Sequence, residues 1–168
     1  MNRLLDMAAA CGMTDVTGTP ASPAAPAQAI GEAIQAWSGQ LMHTRLPRGY
    51  LRPEHALAIT WALGLFHATV CLCGRVDTGA LLAVREALLS PLPIDREAQA
   101  QTEEALFGEL MHRAADLALH GRMPGPALTT SLMRHSLLGI LFLDEGSPEA
   151  DSALAQMAQC IAAMEAAA

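Results

Sequence analysis

The sequence predicts an all-α fold, and three observations carry the prediction. Alanine (33 residues) and leucine (25) dominate, whereas valine and isoleucine together number only 10. Such a composition fills helices and leaves little of the β-branched and aromatic material that strands prefer. Apolar stretches of helical length also alternate with Gly and Pro punctuation. Finally, 168 residues at 52% hydrophobic content suit one domain with a sizeable core.

Residues 1–27 read as a flexible N-terminal arm. The opening MNRLLDMAAAC has one Arg and an apolar run broken by Asp6, whereas an export signal needs an uninterrupted apolar core of about 7 residues. From Cys11 to Ala27 the chain is CGMTDVTGTPASPAAPA, too rich in Pro, Gly, Ser and Thr to supply a core. Ordered structure is expected from Gln28, as a single helical domain over 28–168.

Within that domain the punctuation places six helices at about 28–46, 54–73, 78–90, 97–120, 125–143 and 149–165. Glu54 follows Pro53 and Glu149 follows Pro148, each consistent with a proline opening a first helical turn. Gly74, Gly121 and Gly146 stand where helices should stop. The stretch Ala56–Cys73 holds 18 residues without Asp, Glu, Lys or Arg, which is the lower limit for a membrane span. Its Thr60, Gly64, His67, Thr69, Cys71 and Cys73 favour a central buried helix instead.

A spacing regularity suggests two three-helix halves, 28–93 and 97–166. Glu32, Ala33 and Ile34 match Glu104, Ala105 and Leu106 at an offset of 72, as Gly49 matches Gly121 and Gly74 matches Gly146. The alternatives are a duplicated three-helix unit and six helices that share similar punctuation.

Composition narrows the function classes. With 17 acidic against 10 basic residues and a net charge of −7, the chain lacks the clustered cations of a nucleic-acid footprint. Four cysteines at irregular spacing make no disulfide scaffold, and reduced thiols in the cytoplasm are expected. If their segment is helical, Cys71 and Cys73 point about 200° apart and cannot share a disulfide or one metal corner.

Ala80, Val84 and Ala87 have small-large-small spacing between Gly74 and the prolines 91 and 93, and Ala153, Met157 and Cys160 repeat it. This resembles the second helix of a tetratricopeptide hairpin, whose small residues let neighbouring helices approach. After Ala127 the corresponding positions are Ser131 and Arg134, which depart from the pattern. In length, acidity and N-terminal arm the chain is also similar to the small tetratricopeptide chaperones of bacterial type III secretion. The resemblance implies a cytoplasmic chaperone that cradles an apolar segment of a secreted partner.

Candidate chemistry is sparse. Glu109 and His112 form the E-x-x-H pair of carboxylate-bridged two-metal bundles, but the chain has no second E-x-x-H. His67 and Cys71 share a helix face and could offer two zinc ligands; in apolar surroundings they read better as a partly buried histidine with one satisfied ring nitrogen and a small core cysteine. His120, His135 and Cys160 would suit nucleophilic chemistry only if folding joined them. No cofactor is implied.

The one locally basic stretch, Met42–Arg52, carries His43, Arg45, Arg48, Tyr50 and Arg52. With Trp37 preceding it, this stretch could dock a carboxylate-bearing partner through Arg45, Arg48 and Arg52, with Tyr50 giving contact area; an ordinary loop is the alternative. Met42, Met111, Met123, Met133, Met157 and Met164 either line an adaptable groove or fill the core. Surplus apolar surface would be covered by a homodimer. The expected function is a noncatalytic helical protein-interaction module, an adaptor or chaperone, with a metal protein built on Glu109 and His112 as the alternative.

Overall fold

The computed structural model describes residues 25–122 and 125–168. Among these the fold is all-α, with six helices and no β-strand: α1 Ala25–His43, α2 Pro53–Val70, α3 Thr78–Leu89, α4 Arg96–Leu119, α5 Pro126–Leu141 and α6 Pro148–Ala167. Every helix expected from the sequence is present. The expected arm lies outside the described residues except for its last three. Ala25, Pro26 and Ala27 belong to α1, and Ala27 is fully buried.

The helix ends follow local chemistry. Pro53, Pro126 and Pro148 each sit in a first turn, where the missing N–H has no intrahelical partner to lose. Asp77 Oδ1 accepts from the Gly79 and Ala80 amides, Asp95 Oδ1 from Ala98, and Ser147 Oγ from Ala150, capping α3, α4 and α6. The first helix stops three residues earlier than expected because Pro47 disfavours helical geometry at Leu46, and Thr44 turns its hydroxyl back onto the Gln40 carbonyl.

The second helix also stops three residues early, with Cys71 as its C-cap. Cys73 therefore lies beyond the helix, exposed in a turn, and the helical argument about the 71–73 pair does not apply to it. That turn passes through Gly74 at φ +80°, backbone a side chain would strain.

Helix α2 is the hub, packed against α1, α4, α5 and α6, while α3 rests on α1. Ala56 through Ala68 are all buried, so this helix is apolar on every side because every side faces protein. No helix of the described residues is long and apolar enough to cross a membrane. The two expected halves interleave: α2 of the first packs most heavily on α4 of the second, and α1 lies along α6. Trp37, Trp61, Phe66, Ile30, Ile34 and Leu63 form the heart of the core. Close approach of α1 and α2 depends on Gly64, because a Cβ there would lie 2.5 Å from Ile34 Cδ1.

Buried polar groups are few and mostly answered locally. Thr60 and Thr69 donate to the carbonyls of Ala56 and Leu65 on their own helix. Met133, Met157 and Met164 are core residues, whereas Met42 and Met111 are half-buried; Met123 lies outside the described residues.

Candidate functional site

The α1–α2 loop and the turn between α5 and α6 meet at one end of the molecule. Their shared concavity, about 540 Å³, is lined by Arg45, Leu46, Pro47, Phe142, Asp144 and Glu149 among others. Arg48 holds its guanidinium 3.7 Å above the Phe142 ring, within cation–π range. Tyr50 and Phe142 are 74% and 59% exposed, so this end presents two large aromatic surfaces beside two arginines. Aromatic residues and arginine carry much of the energy of protein interfaces.

Phe142 has a further peculiarity. After α4 the chain closes with Gly121 N–H on the Ala118 carbonyl and Arg122 N–H on Leu117, and Gly121 adopts φ +73°. After α5 the same pair of bonds recurs, Phe142 to Gly139 and Leu143 to Leu138. There Phe142 takes the left-handed position at φ 52°. Glycine occupies it at ordinary helix ends, and a side chain costs about 1–2 kcal/mol. The strain holds an aromatic ring in solvent.

From the same end a groove runs between α1 and α6. Its wide part, about 590 Å³, is lined by His43, Thr44, Arg45, Glu149, Ser152 and Gln156 among others. It narrows to a half-open cleft of about 140 Å³ with Ala33, Ala36, Trp37, Cys160 and Ala163 as its apolar lining and Gln40, Gln156 and Gln159 as its amides. Gln156 Nε2 donates to Thr44 Oγ1 at 2.8 Å. Two polar atoms are left buried without a partner: Trp37 Nε1 and Gln156 Oε1.

The arginines divide. All ten basic residues of the chain are arginine, and Arg52, Arg75, Arg85, Arg96, Arg113 and Arg134 each pair with a glutamate. Among the described residues Arg45, Arg48 and Arg122 have no carboxylate within 4.0 Å. Arg45, Arg48 and Tyr50 of the expected docking set thus lie on the exposed loop, Arg52 is exposed but tied to Glu54 at 2.8 Å, and Trp37 is not on that surface. It is 2% exposed because it faces inward from α1.

The other candidates fall elsewhere. Glu109 is exposed and bonded to Arg113, and His112 is exposed on α4. Among the described residues no three His, Cys, Asp or Glu side chains converge as a metal site. His120 and His135 each bond back to their own helix, at Asp116 O and Ser131 O. Cys160 lies in the α1–α6 cleft, where burial pushes its thiol up to about 12, leaving it protonated at neutral pH. A second groove, between α4 and α5, is lined by Ile59, Leu106, Glu109, Arg113, His135 and Ile140.

Two ionic clusters, each with one deeply buried member, have no signal in the sequence. His67 is 2% exposed and bonds through Nε2 to Glu165 Oε1 at 3.1 Å, while Arg75 holds Glu165 Oε2 at 2.7 Å. Burial holds His67 below its ordinary value against the raising influence of Glu165, and Arg75 holds Glu165 low. His67 therefore has one satisfied ring nitrogen, as expected; its Nδ1 is buried without a partner. Near α3, Glu103 is raised by burial although Arg85 pairs with it at 2.7 Å and Gln99 donates to it. Both clusters staple helices distant in sequence.

No protein-family model, no curated protein and no solved structure matches the chain. The class defined by the fold and this surface is a small all-helical domain with an arginine–aromatic end and an adjoining interhelical groove.

Proposed function

We propose that this chain is a noncatalytic helical protein-interaction module whose partner docks on the arginine–aromatic end and the groove between α1 and α6. The observation that carries the reading is the strained, exposed Phe142 beneath Arg48, beside Tyr50 and the uncommitted Arg45. Local strain is retained where the surroundings or a function require it, and an isolated fold would gain by placing glycine there. A cytoplasmic adaptor or chaperone role, in line with the resemblance to tetratricopeptide hairpin proteins, is the finer form of this proposal. A homodimer using the same end is a variant of it.

The test is site-specific photocrosslinking in the native host, with a benzophenone amino acid at position 50 and, as the control, at position 82, where Leu82 is exposed on α3. A discrete polypeptide adduct at position 50, absent at 82 and lost in Arg45→Glu/Arg48→Glu, supports the proposal. No polypeptide adduct at position 50, or equal adducts at both positions, overturns it. An adduct of twice the chain mass would identify the partner as a second copy.

A further inference from the structure

We infer that the partner at the arginine–aromatic end is a second copy of this chain, docked about a two-fold axis so that Tyr50 of each copy enters the concavity of the other. The inference deepens the proposed function and rests on it. Among the described residues four large apolar side chains are exposed, Tyr50, Leu82, Leu119 and Phe142, and two of the four share this one end. Tyr50 projects from the α1–α2 loop and is not among the residues lining the concavity of about 540 Å³ beside it. That recess has Leu46, Pro47, Phe142 and Leu143 as its apolar lining and Asp144 and Ser147 among its polar lining, and a phenol, apolar in body and polar at its tip, suits both.

The charges are arranged in the same self-complementary way. Arg45 and Arg48 have no carboxylate within 4.0 Å, and Asp144 and Glu149 have no cation within that distance among the described residues. Arg45, Asp144 and Glu149 line the recess together. Their neighbours are already committed, Arg52 to Glu54 and Glu145 to Arg134. A partner segment of one charge sign would meet a like charge in this recess, which opposes binding.

An isologous interface requires a patch complementary to itself. One end of this molecule supplies a projection and a recess, and two unpaired cations with two unpaired anions, so a two-fold rotation sets each against its complement on the other copy. Arg48 is already held over the Phe142 ring and has less side-chain freedom to lose on pairing. The net charge of −7 opposes self-association at long range, but salt screens exposed charges beyond about 8 Å under physiological conditions, and the contact pairs decide the outcome.

The test is sedimentation equilibrium of the full-length protein and of two charge-reversal variants, Arg45→Glu/Arg48→Glu and Asp144→Arg/Glu149→Arg. The parent chain should dimerise. Each variant alone should dimerise roughly tenfold to a hundredfold more weakly, because a two-fold axis makes every reversed charge act twice. An equimolar mixture of the two variants should regain the dimer, since their reversed ends complement each other. Circular dichroism checks that each variant folds; if a reversal unfolds the chain, Tyr50→Ala, at a position 74% exposed, reports alone and should weaken the dimer to a similar degree.

A parent chain that stays monomeric through the micromolar range overturns the inference. So does a dimer indifferent to the reversals and to Tyr50→Ala, or a mixture of folded variants no more associated than its components. A position-50 adduct of twice the chain mass whose far end maps within residues 142–149 of the second copy supports it. A position-50 adduct to a different polypeptide would sink the second-copy assignment and leave the interaction reading standing, whereas absence of any adduct sinks the reading itself.

Discussion

Replacing Gly64 by alanine sets two opposing effects against each other at one atom. In a helix interior alanine is favoured over glycine by about 1 kcal/mol. At Gly64, however, a Cβ would sit 2.5 Å from Ile34 Cδ1 and 2.7 Å from Ile34 Cγ1. The Cδ1 atom can swing away about χ2, but Cγ1 is fixed by the single χ1 rotamer that a β-branched residue keeps in a helix. Ile34 is fully buried and has nowhere to retreat. Overpacking costs about 1–3 kcal/mol, and with Cγ1 immovable the upper part of that range applies. The expected net is a loss of about 1–2 kcal/mol, which lowers Tm by roughly 2–8 °C for a domain of this size. Gly108→Ala is the control: it is exposed in α4 with nothing within 4 Å of its would-be Cβ, so it should gain about 0.5–1 kcal/mol. Urea unfolding followed by circular dichroism measures both. Adding Ile34→Val to Gly64→Ala removes Cδ1 and should recover only part of the loss. If Gly64→Ala proved as stabilising as Gly108→Ala, the close approach of α1 and α2 would not be what this glycine provides.

Three further outcomes are expected. Because His67 is held below its ordinary value of 6.5, the unfolded chain binds the proton first; stability is full above about pH 6.5 and falls as the pH drops from there toward the folded-state value. His67→Gln should flatten that slope in urea titrations at pH 7.5, 6.5 and 5.5, while the Glu165 contribution, present above 4.5, is lost only at lower pH. Arg85→Leu strips the cation from buried Glu103 and should cost about 3 kcal/mol at pH 7. The cost should shrink at pH 5, because a protonated Glu103 needs no cation and the variant gains stability as the pH falls through its raised value. Phe142→Gly relieves about 1–2 kcal/mol of left-handed strain and gives up the Arg48 contact, worth about 0.5–1 kcal/mol. Thermal stability should therefore hold or rise while the position-50 adduct falls severalfold; an unchanged adduct would show that the ring is not part of the docking surface.

Helix positions were legible because their causes are local. Pro53, Pro148 and Gly121 act through the backbone of their own neighbourhood, whereas α2 and α5 end at Cys71 and Phe142, ahead of the expected stops at Gly74 and Gly146. The uncharged stretch after Ala56 reads better as a buried helix than as a membrane span. The misplaced ends are also local in cause. Pro26 opens α1 but stands in a Pro- and Ala-rich run that reads as an arm, and Pro47 ends α1 from four residues downstream. The arginine loop was legible for its composition, since three arginines within eight residues stand out on an acidic chain. Trp37 was misplaced because loop proximity in sequence does not fix which face of α1 a residue takes. Arg85 with Glu103, and His67 with Glu165, were illegible for a different reason: 18 and 98 residues separate the partners, and only tertiary packing decides which charge meets which. Phe142 left a trace that composition hides, namely a helix end with no glycine until Gly146.

Departures from local rules are informative when they gather. Phe142 takes a glycine conformation, Arg45 and Arg48 lack the carboxylates that their paired counterparts have, and Trp37 Nε1 and Gln156 Oε1 are buried without partners. These five lie along the groove between α1 and α6 or at its open end, although Arg122 is unpaired and other polar atoms are orphaned elsewhere among the described residues. Five other orphaned atoms, on His67, Arg85, Arg96, Gln99 and Thr129, belong to residues that do not line that groove. A sequence selected for stability alone would correct each departure by a single substitution, glycine at 142 being the simplest. Real proteins break consistency chiefly at functional sites and compensate elsewhere. Here the compensation is visible in the capped helices and the dense hub of α2, which supply rigidity at the far side of the same two helices that form the groove. On the proposed reading, a preformed, rigid groove would lose little entropy when a partner binds, and the stability of the hub and the strain at the open end would serve one surface.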